Sequence, residues 1–233
     1  MKPGVLEVAA SVIRGSSRER PADAVLRSQL KDQSGLSRQQ SAEVTRMVCA
    51  FYRWFGWLDK QQPLPHQIEH ASELAQQFAR QPASFPDIEL VTRALPDWTN
   101  KQLEVTPEWA RALQSEPVLW LRASPDEGKT VSSKLDNCRP FGEGSLGDIL
   151  KYNGREDLFR HPAFQEGVFE LQDISSQAVG LVSAPQPGQT WWDACAGEGS
   201  KLLHLSALMG NKGLIWATDR AAWRLEKLKR RAA

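Results

Sequence analysis

Nine consecutive residues near the end of the chain, Asp193-Ala-Cys-Ala-Gly-Glu-Gly-Ser-Lys201, are of the types that hold a nucleotide-like ligand. They lie between the bulky apolar pair Trp191-Trp192 and an apolar stretch of helical character that begins at Leu202. Gly197 and Gly199 would let the backbone approach a ligand closely, and the start of the next helix would offer free N–H groups. The pattern predicts a cofactor-binding loop between a β-strand and an α-helix.

Three cofactor chemistries use loops of this kind, and the spacing separates them. A P-loop, G-x-x-x-x-G-K-[ST], is excluded because Ser200 separates Gly199 from Lys201, and Leu202 replaces the hydroxyl residue that binds magnesium. A dinucleotide fingerprint, G-x-G-x-x-G, starts at Gly197 but also meets Leu202 where its third glycine belongs. S-adenosyl-L-methionine remains: it has no pyrophosphate, and its cationic methionine portion suits a carboxylate at the strand end.

A carboxylate at the end of the next strand is a second candidate ligand-binding group. Residues 213–218 have the composition of a strand, and Asp219 follows them directly. A carboxylate in that position can accept hydrogen bonds from both ribose hydroxyls. The alternative is that Asp219 caps the helix that follows. Considered together with the glycine-containing loop, ligand binding is favoured.

Three segments of the chain resemble the Sun/RsmB-type RNA (cytosine-5) methyltransferases: residues 159–177, 185–201 and 217–225. In that family a G-x-F-x-V-Q-D-x-x-S-Q segment precedes the cofactor loop D-x-C-A-x-P-G-G-K-T. This chain departs from the loop pattern with Glu198 for proline, Ser200 for the second glycine and Leu202 for threonine. The resemblance is strongest over residues 159–230.

The resemblance implies S-adenosyl-L-methionine as the cofactor and RNA, ribosomal RNA above all, as the partner. It also implies which residues hold the cofactor. These candidate site residues are Cys195, Ala196, Gly197, Glu198, Gly199, Ser200, Lys201, Asp219 and Arg224. For Arg224, an exposed helix position in a basic tail is the alternative interpretation.

The fold class expected from these observations is multidomain. A NusB-like all-α region is expected at residues 1–106, a small α+β RNA-binding module at 107–167, and the first part of a Rossmann-like α/β methyltransferase domain at 168–233. The capping box Ser37–Gln40 predicts the start of a long helix. Strands are predicted at 117–124 and 168–172, and a helix at about 175–182.

No residue of this chain matches the catalytic cysteines that the resemblance implies. Family members carry them in P-C-S-G-x-G and T-C-S segments after the second strand, and neither segment is present. The chain is therefore expected to be the substrate-binding and cofactor-loop half of the enzyme, inactive alone, with a missing C-terminal half or a partner chain. The alternative is a non-catalytic RNA-binding or assembly module with a relic loop. Cys195 is expected to be buried beneath the cofactor, and the apolar strand residues 191–192 and 214–216 are expected to lack cover.

The amino-acid composition is compatible with a cytoplasmic, RNA-associated protein and excludes few classes of protein. The 233 residues carry a net charge of +1, so RNA contact requires local basic patches, of which residues 220–231 are one candidate. The three cysteines form no C-x-x-C pair and no stretch has transmembrane length, so neither a disulfide framework nor a membrane partner is expected. The segment His66–His70 matches H-x-x-E-H, but it follows two prolines closely and no third ligand is signalled, so no metal is expected.

Overall fold

The computed structural model describes residues 4–32, 35–154 and 156–232. The chain divides into two compact units, Met1–Pro117 and Val118–Ala233. No helix within the described residues is long and apolar enough to cross a membrane.

The first unit is helical and is organised around buried aromatic side chains. Trp54 is fully buried and packs its ring against Phe78 and Phe85, with ring centroids 5.5 and 5.1 Å away. The predicted capping box is confirmed, because Ser37 Oγ accepts from the Gln40 N–H and the Gln40 side chain accepts from the Ser37 N–H. The α-helices described are α1 (Val5–Gly15), α2 (Ala22–Asp32), α3 (Arg38–Arg53), α4 (Leu64–Arg80), α5 (Asp87–Arg93) and α6 (Pro107–Gln114).

The second unit begins with a four-stranded antiparallel sheet. Its strands are β1 (Leu119–Ala123), β2 (Cys138–Pro140), β3 (Ile149–Tyr152) and β4 (Phe169–Leu171), in the order β2-β3-β1-β4. The helix α7 (Gly128–Lys134) connects β1 to β2, and the short helix α8 (Pro162–Gln165) lies between β3 and β4. One face of the sheet, with Leu121, Leu150 and Phe169, packs into a core with Val131 of α7 and Ala163 of α8.

The same unit continues as a parallel strand pair with helices. After α9 (Ile174–Ser183), the chain forms β5 (Thr190–Asp193), α10 (Ser200–Leu208), β6 (Leu214–Ala217) and α11 (Ala222–Ala232). Strands β5 and β6 are parallel, as expected of a strand–helix–strand unit, and Trp192 lies opposite Trp216. The predicted strand at 213–218 and the predicted helices after residues 174 and 201 are thereby confirmed.

One face of the parallel pair has the exposure expected from the sequence. Trp192, Leu214 and Trp216 are 68%, 50% and 62% exposed. Ile215, on the other face, packs against the small core formed by Ala196, Leu202 and Leu228. Residue type therefore does not decide burial here; the side of the strand does.

The three predicted domain boundaries, 1–106, 107–167 and 168–233, stay a prediction. The helix α6 lies in the first compact unit, and β4 hydrogen-bonds to β1 within the antiparallel sheet. The helical N-terminal region and the small α+β part of the expected fold class are present.

Candidate functional site

The predicted cofactor loop connects β5 to α10 and is hydrogen-bonded to the end of β6. The Ala196 N–H donates to the Thr218 carbonyl at 3.0 Å, and the Thr218 N–H donates to the Asp193 carbonyl at 3.0 Å. The Cys195 N–H donates to Asp193 Oδ1 at 3.2 Å. The two bonds made by Thr218 join positions more than 20 residues apart in sequence, so the end of the second strand fixes the shape of the loop.

The two loop glycines have different structural roles. Both have positive φ, +56° at Gly197 and +91° at Gly199, a region that favours glycine. A Cβ at Gly199 would lie 2.1 Å from Leu228 Cδ1, so the absence of a side chain there lets α11 pack against the loop. A Cβ at Gly197 would meet no atom within 4 Å. Gly197 therefore faces open space in which a ligand can approach the backbone.

Asp219 joins the loop to the start of α11. Its Oδ2 accepts from the Gly197 N–H at 2.9 Å, and its Oδ1 accepts from the Ala221 N–H at 2.8 Å. These backbone hydrogen bonds, that of Ala221 first, lower the pKa of the carboxyl group, as do the charges of Arg224 and Arg220. Because Ala221 precedes the first residue of α11, this contact holds the turn before the helix, and within the described residues no N–H of α11 itself donates to Asp219. Ribose binding stays a prediction, and it is compatible with this geometry because each carboxylate oxygen has a second lone pair.

Glu198, a candidate cofactor residue, is attached to the last helix. Its carboxylate pairs with Lys227 Nζ at 2.9 Å, and its carbonyl accepts from Arg231 Nη1 at 2.6 Å. Arg231 also pairs with Glu170 on β4. Lys229 pairs with Glu226. Three of the six basic side chains predicted as an RNA patch at residues 220–231, those of Lys227, Lys229 and Arg231, are therefore in ion pairs within the fold.

The expectation that Cys195 is buried is wrong, because its side chain is exposed. The loop turns its small neighbour Ala196 into the core instead, beside Leu202 and Leu228. Lys201 and Arg224 are exposed, and the Arg224 guanidinium lies 5.2 Å from the centre of the Trp223 ring. Ser200 begins α10, whose first N–H groups have no acceptor within the helix.

A buried polar network behind the loop was not identified from the sequence. Gln172 Oε1 accepts from Arg122 Nε at 2.8 Å, and Gln172 Nε2 donates to the Ser200 carbonyl at 3.1 Å. Gln177, which is fully buried, donates to the Leu121 and Gln172 carbonyls. Both glutamines belong to the segment E-L-Q-D-I-S-S-Q that carries the resemblance, so the motif itself was the available signal.

His204 on α10 adjoins this network and is uncharged at neutral pH. It is 6% exposed, and its Nδ1 has no hydrogen-bond partner within the described residues. Burial, followed by the charge of Arg122, lowers the pKa of His204 from 6.5 to about 4. Gly180 of α9 leaves room for the imidazole, because a Cβ there would lie 2.4 Å from Nδ1.

Together these residues form a hydrogen-bonded loop that is open on one side. The space in front of Gly197, the N–H groups at the start of α10 and the spare acceptor capacity of Asp219 suit a ligand with hydroxyl donors and a cationic or amphiphilic portion. The residues present therefore fit S-adenosyl-L-methionine, which the sequence predicts.

Comparison with known proteins supports the resemblance. Residues 180–233 match the family described as 16S rRNA methyltransferase RsmB/F. A probable ribosomal RNA small subunit methyltransferase B of Synechocystis is 33% identical over 148 residues, covering 58% of this chain and 33% of that protein. A 28S rRNA (cytosine-C(5))-methyltransferase of Mus musculus is 38% identical over 80 residues, covering 34% of this chain and 17% of the relative.

The fold is shared with a solved structure, the crystal structure of PH0851. The TM-score is 0.64 at 17% sequence identity, over 97% of this chain and 65% of that one. The chain spans about a third, or less, of the length of these two curated relatives. The family match at residues 180–233 includes the loop, Asp219 and α11 up to its end, so it covers the site whose geometry is described above.

Proposed function

We propose that this chain, whose matched residues belong to the Sun/RsmB family of RNA (cytosine-5) methyltransferases, is the substrate-binding and cofactor-loop half of such an enzyme acting on ribosomal RNA. One observation carries the proposal. The family match coincides with a loop in which Gly197 faces open space and Asp219 holds the loop from the end of β6. The expected location is the cytoplasm.

The cofactor of this proposal is S-adenosyl-L-methionine, which supplies an electrophilic methyl group on a sulfonium. Gly197 and the first turn of α10 would lie against its methionine portion, and Asp219 would accept from its ribose hydroxyls. Ala196 supports the loop from the core, whereas Glu198 holds it to α11. Cys195, Ser200, Lys201 and Arg224 are proposed to line the ligand. The surrounding fold is proposed to be the first part of a Rossmann-like domain, preceded by a NusB-like region and a small RNA-binding module.

Methylation of cytosine needs a cysteine thiolate as nucleophile, and we assign that role to no residue of this chain. Carbon 5 of cytosine becomes nucleophilic only after a thiolate adds to carbon 6. Carbon 5 would then take the methyl group as the carbon–sulfur bond of the sulfonium breaks and a neutral thioether leaves; removal of the proton on carbon 5 then expels the thiolate. Cys138 is buried, and burial raises the pKa of its thiol to about 11, so it holds its proton at neutral pH. We therefore propose that these 233 residues bind cofactor and RNA without completing methyl transfer.

Calorimetric titration with S-adenosylhomocysteine tests the cofactor assignment. The unaltered chain is expected to bind, and Asp219→Ala is expected to weaken binding about tenfold or more because charge-assisted hydrogen bonds to the ligand are lost. Asp219→Asn keeps one acceptor oxygen and is expected to fall between the two.

Glu226→Ala is the matched control, since Glu226 is an acidic residue on α11 that pairs with Lys229. It should leave affinity unchanged. Thermal unfolding of each variant shows whether Asp219→Ala still folds, because Asp219 also holds the turn before α11. Equal affinity of the Asp219 and Glu226 variants, or no binding by the unaltered chain, would contradict the proposal.

A further inference from the structure

The antiparallel sheet of the second unit presents two different faces. Cross-strand register places Leu121, Leu150 and Phe169 on the face that packs against α7 and α8. The opposite face carries residues of the alternate register. They are Trp120 and Arg122 on β1, Arg139 on β2, Ile149 and Lys151 on β3, and Glu170 on β4.

That opposite face is itself divided. On the β4 side it is occupied, because Arg122 is buried beside Gln172 and His204, and Glu170 pairs with Arg231 of α11. On the β2 side it is open. Arg139 and Lys151 lie opposite each other, and both are exposed.

Two aromatic rings extend the open part. Trp120 lies opposite Lys151 on the neighbouring strand and is partly buried. Phe141, which follows β2 and donates its N–H to the Ile149 carbonyl, is 55% exposed and meets the Trp120 ring edge-on at 5.4 Å. We call Arg139, Phe141, Lys151 and Trp120 the basic-aromatic face.

The charges of this face are available to a ligand. Neither Arg139 nor Lys151 forms an ion pair within the parts of the chain that the structure describes, unlike Lys227, Lys229 and Arg231 near the C-terminus. Strands lie about 5 Å apart, so the row from Arg139 through Lys151 to Trp120 extends over about 10 Å across three neighbouring strands. Cations next to exposed rings on a sheet suit a strand of nucleotides, since phosphates meet the charges and bases stack on the rings.

We infer that the basic-aromatic face is a binding surface for single-stranded RNA. The inference rests on the proposed function, which makes RNA the substrate, and it names where unpaired nucleotides are held. The sheet order and the open side favour a single strand of RNA that crosses β2, β3 and β1. The bases of an RNA duplex are stacked inside it and could not reach the rings.

The test measures binding of a fluorescein-labelled, unstructured cytidine–uridine decamer to the full 233-residue chain by anisotropy at several salt concentrations. Arg139→Gln with Lys151→Gln should weaken binding about tenfold at low salt and reduce the slope of log affinity against log salt by about 1.4, the value for two phosphates. Phe141→Ala should weaken binding about fivefold and leave the slope unchanged, because stacking releases no counterions.

Lys129→Gln with Lys134→Gln is the matched control: both lysines are exposed on α7, which packs on the other face of the sheet. It should change affinity less than twofold. Equal losses of RNA affinity in the two double variants would overturn the inference. It would also be overturned if polyglutamate displaced the labelled RNA as effectively as unlabelled RNA of the same charge. Failure to bind S-adenosylhomocysteine, with the RNA results as expected, would contradict the proposed function and leave this surface in place.

Discussion

The amide group of Gln172 joins the antiparallel sheet to the cofactor loop. Its oxygen accepts from Arg122 Nε at 2.8 Å, and its nitrogen donates to the Ser200 carbonyl, the first residue of α10, at 3.1 Å. Gln172 is 4% exposed, so water does not compete effectively for either bond. The orientation of the loop therefore depends on a residue 28 positions earlier in the chain.

Two substitutions of Gln172 should separate loop positioning from stability. Gln172→Glu keeps an acceptor for Arg122 but places a carboxylate against the Ser200 carbonyl, whereas Gln172→Met removes both bonds. Both should increase hydrogen exchange at residues 197–203 and weaken S-adenosylhomocysteine binding. Only Gln172→Met should lose about 1–3 kcal/mol of unfolding free energy, since it leaves Arg122 buried without this partner.

Gln165→Glu is the control for the Gln172 variants. Gln165 is exposed, and its side chain donates to the Phe159 carbonyl. Exchange at residues 197–203 should be unchanged in it. If Gln172→Glu exchanged there at the rate of the unaltered chain, Gln172 would have no positioning role.

Alanine substitutions at the two loop glycines should have unequal costs. At Gly197 the new methyl group enters open space and only the positive φ is unfavourable, at about 1 kcal/mol. At Gly199 the methyl group also collides with Leu228, so the loss should exceed 2 kcal/mol. Urea unfolding of each variant measures the difference, and a double variant with Leu228→Ala should recover part of the Gly199 loss. Equal losses at the two positions would contradict the packing role given to Gly199.

Burial of His204 should make the second unit less stable in acid. Its pKa is lowered in the folded state, to about 4, so between pH 6.5 and 4 the unfolded chain binds the proton and the folded chain does not. Stability is therefore complete above pH 6.5 and falls as the pH drops through this window, by up to about 3 kcal/mol.

The comparison that isolates His204 is a pH series of unfolding free energies. His204→Leu fills a similar buried space without a titrating group, so its stability should fall less between pH 6.5 and 4 than that of the unaltered chain. His70→Gln, at an exposed position of α4, should behave like the unaltered chain. Parallel curves for the unaltered chain and His204→Leu would show that His204 does not titrate as its burial implies.

Local sequence patterns predicted the elements of the second unit well. The strands at 119–123, 169–171 and 214–217 and the helices at 174–183 and 200–208 lie within a few residues of their predicted positions. Each has a run of apolar residues bounded by glycine, proline or an acidic residue, which makes it recognisable. Strands β2 and β3, which are as short as β4 and β6, were not predicted: Cys138-Arg-Pro140 contains no apolar run, and both strands depend on pairing with each other and with β1.

The direction of side chains in the loop could not be predicted in the same way. Cys195 is exposed because two positive-φ glycines and the Thr218 and Asp219 hydrogen bonds decide how the loop curves. Likewise, Lys227 and Arg231 are held by Glu198, which lies 29 and 33 residues earlier in the chain. Such contacts arise from tertiary packing, and no local pattern encodes them.

The last prediction concerns methyl transfer itself. The 233-residue chain, given labelled S-adenosyl-L-methionine and bulk ribosomal RNA, should transfer no label to RNA although it binds the cofactor. The reason lies in its three cysteines: burial raises the pKa of Cys138 to about 11, Cys195 belongs to the loop that is proposed to hold the cofactor, and Cys49 lies on α3 of the first unit. A protein extended by a segment that carries the family's two cysteine motifs should transfer label, and Cys195→Ser should lower that activity only as far as it weakens cofactor binding, without abolishing it. Label transfer by the 233 residues that disappears in Cys195→Ser would instead identify Cys195 as the nucleophile, made accessible by the exposure that the structure shows.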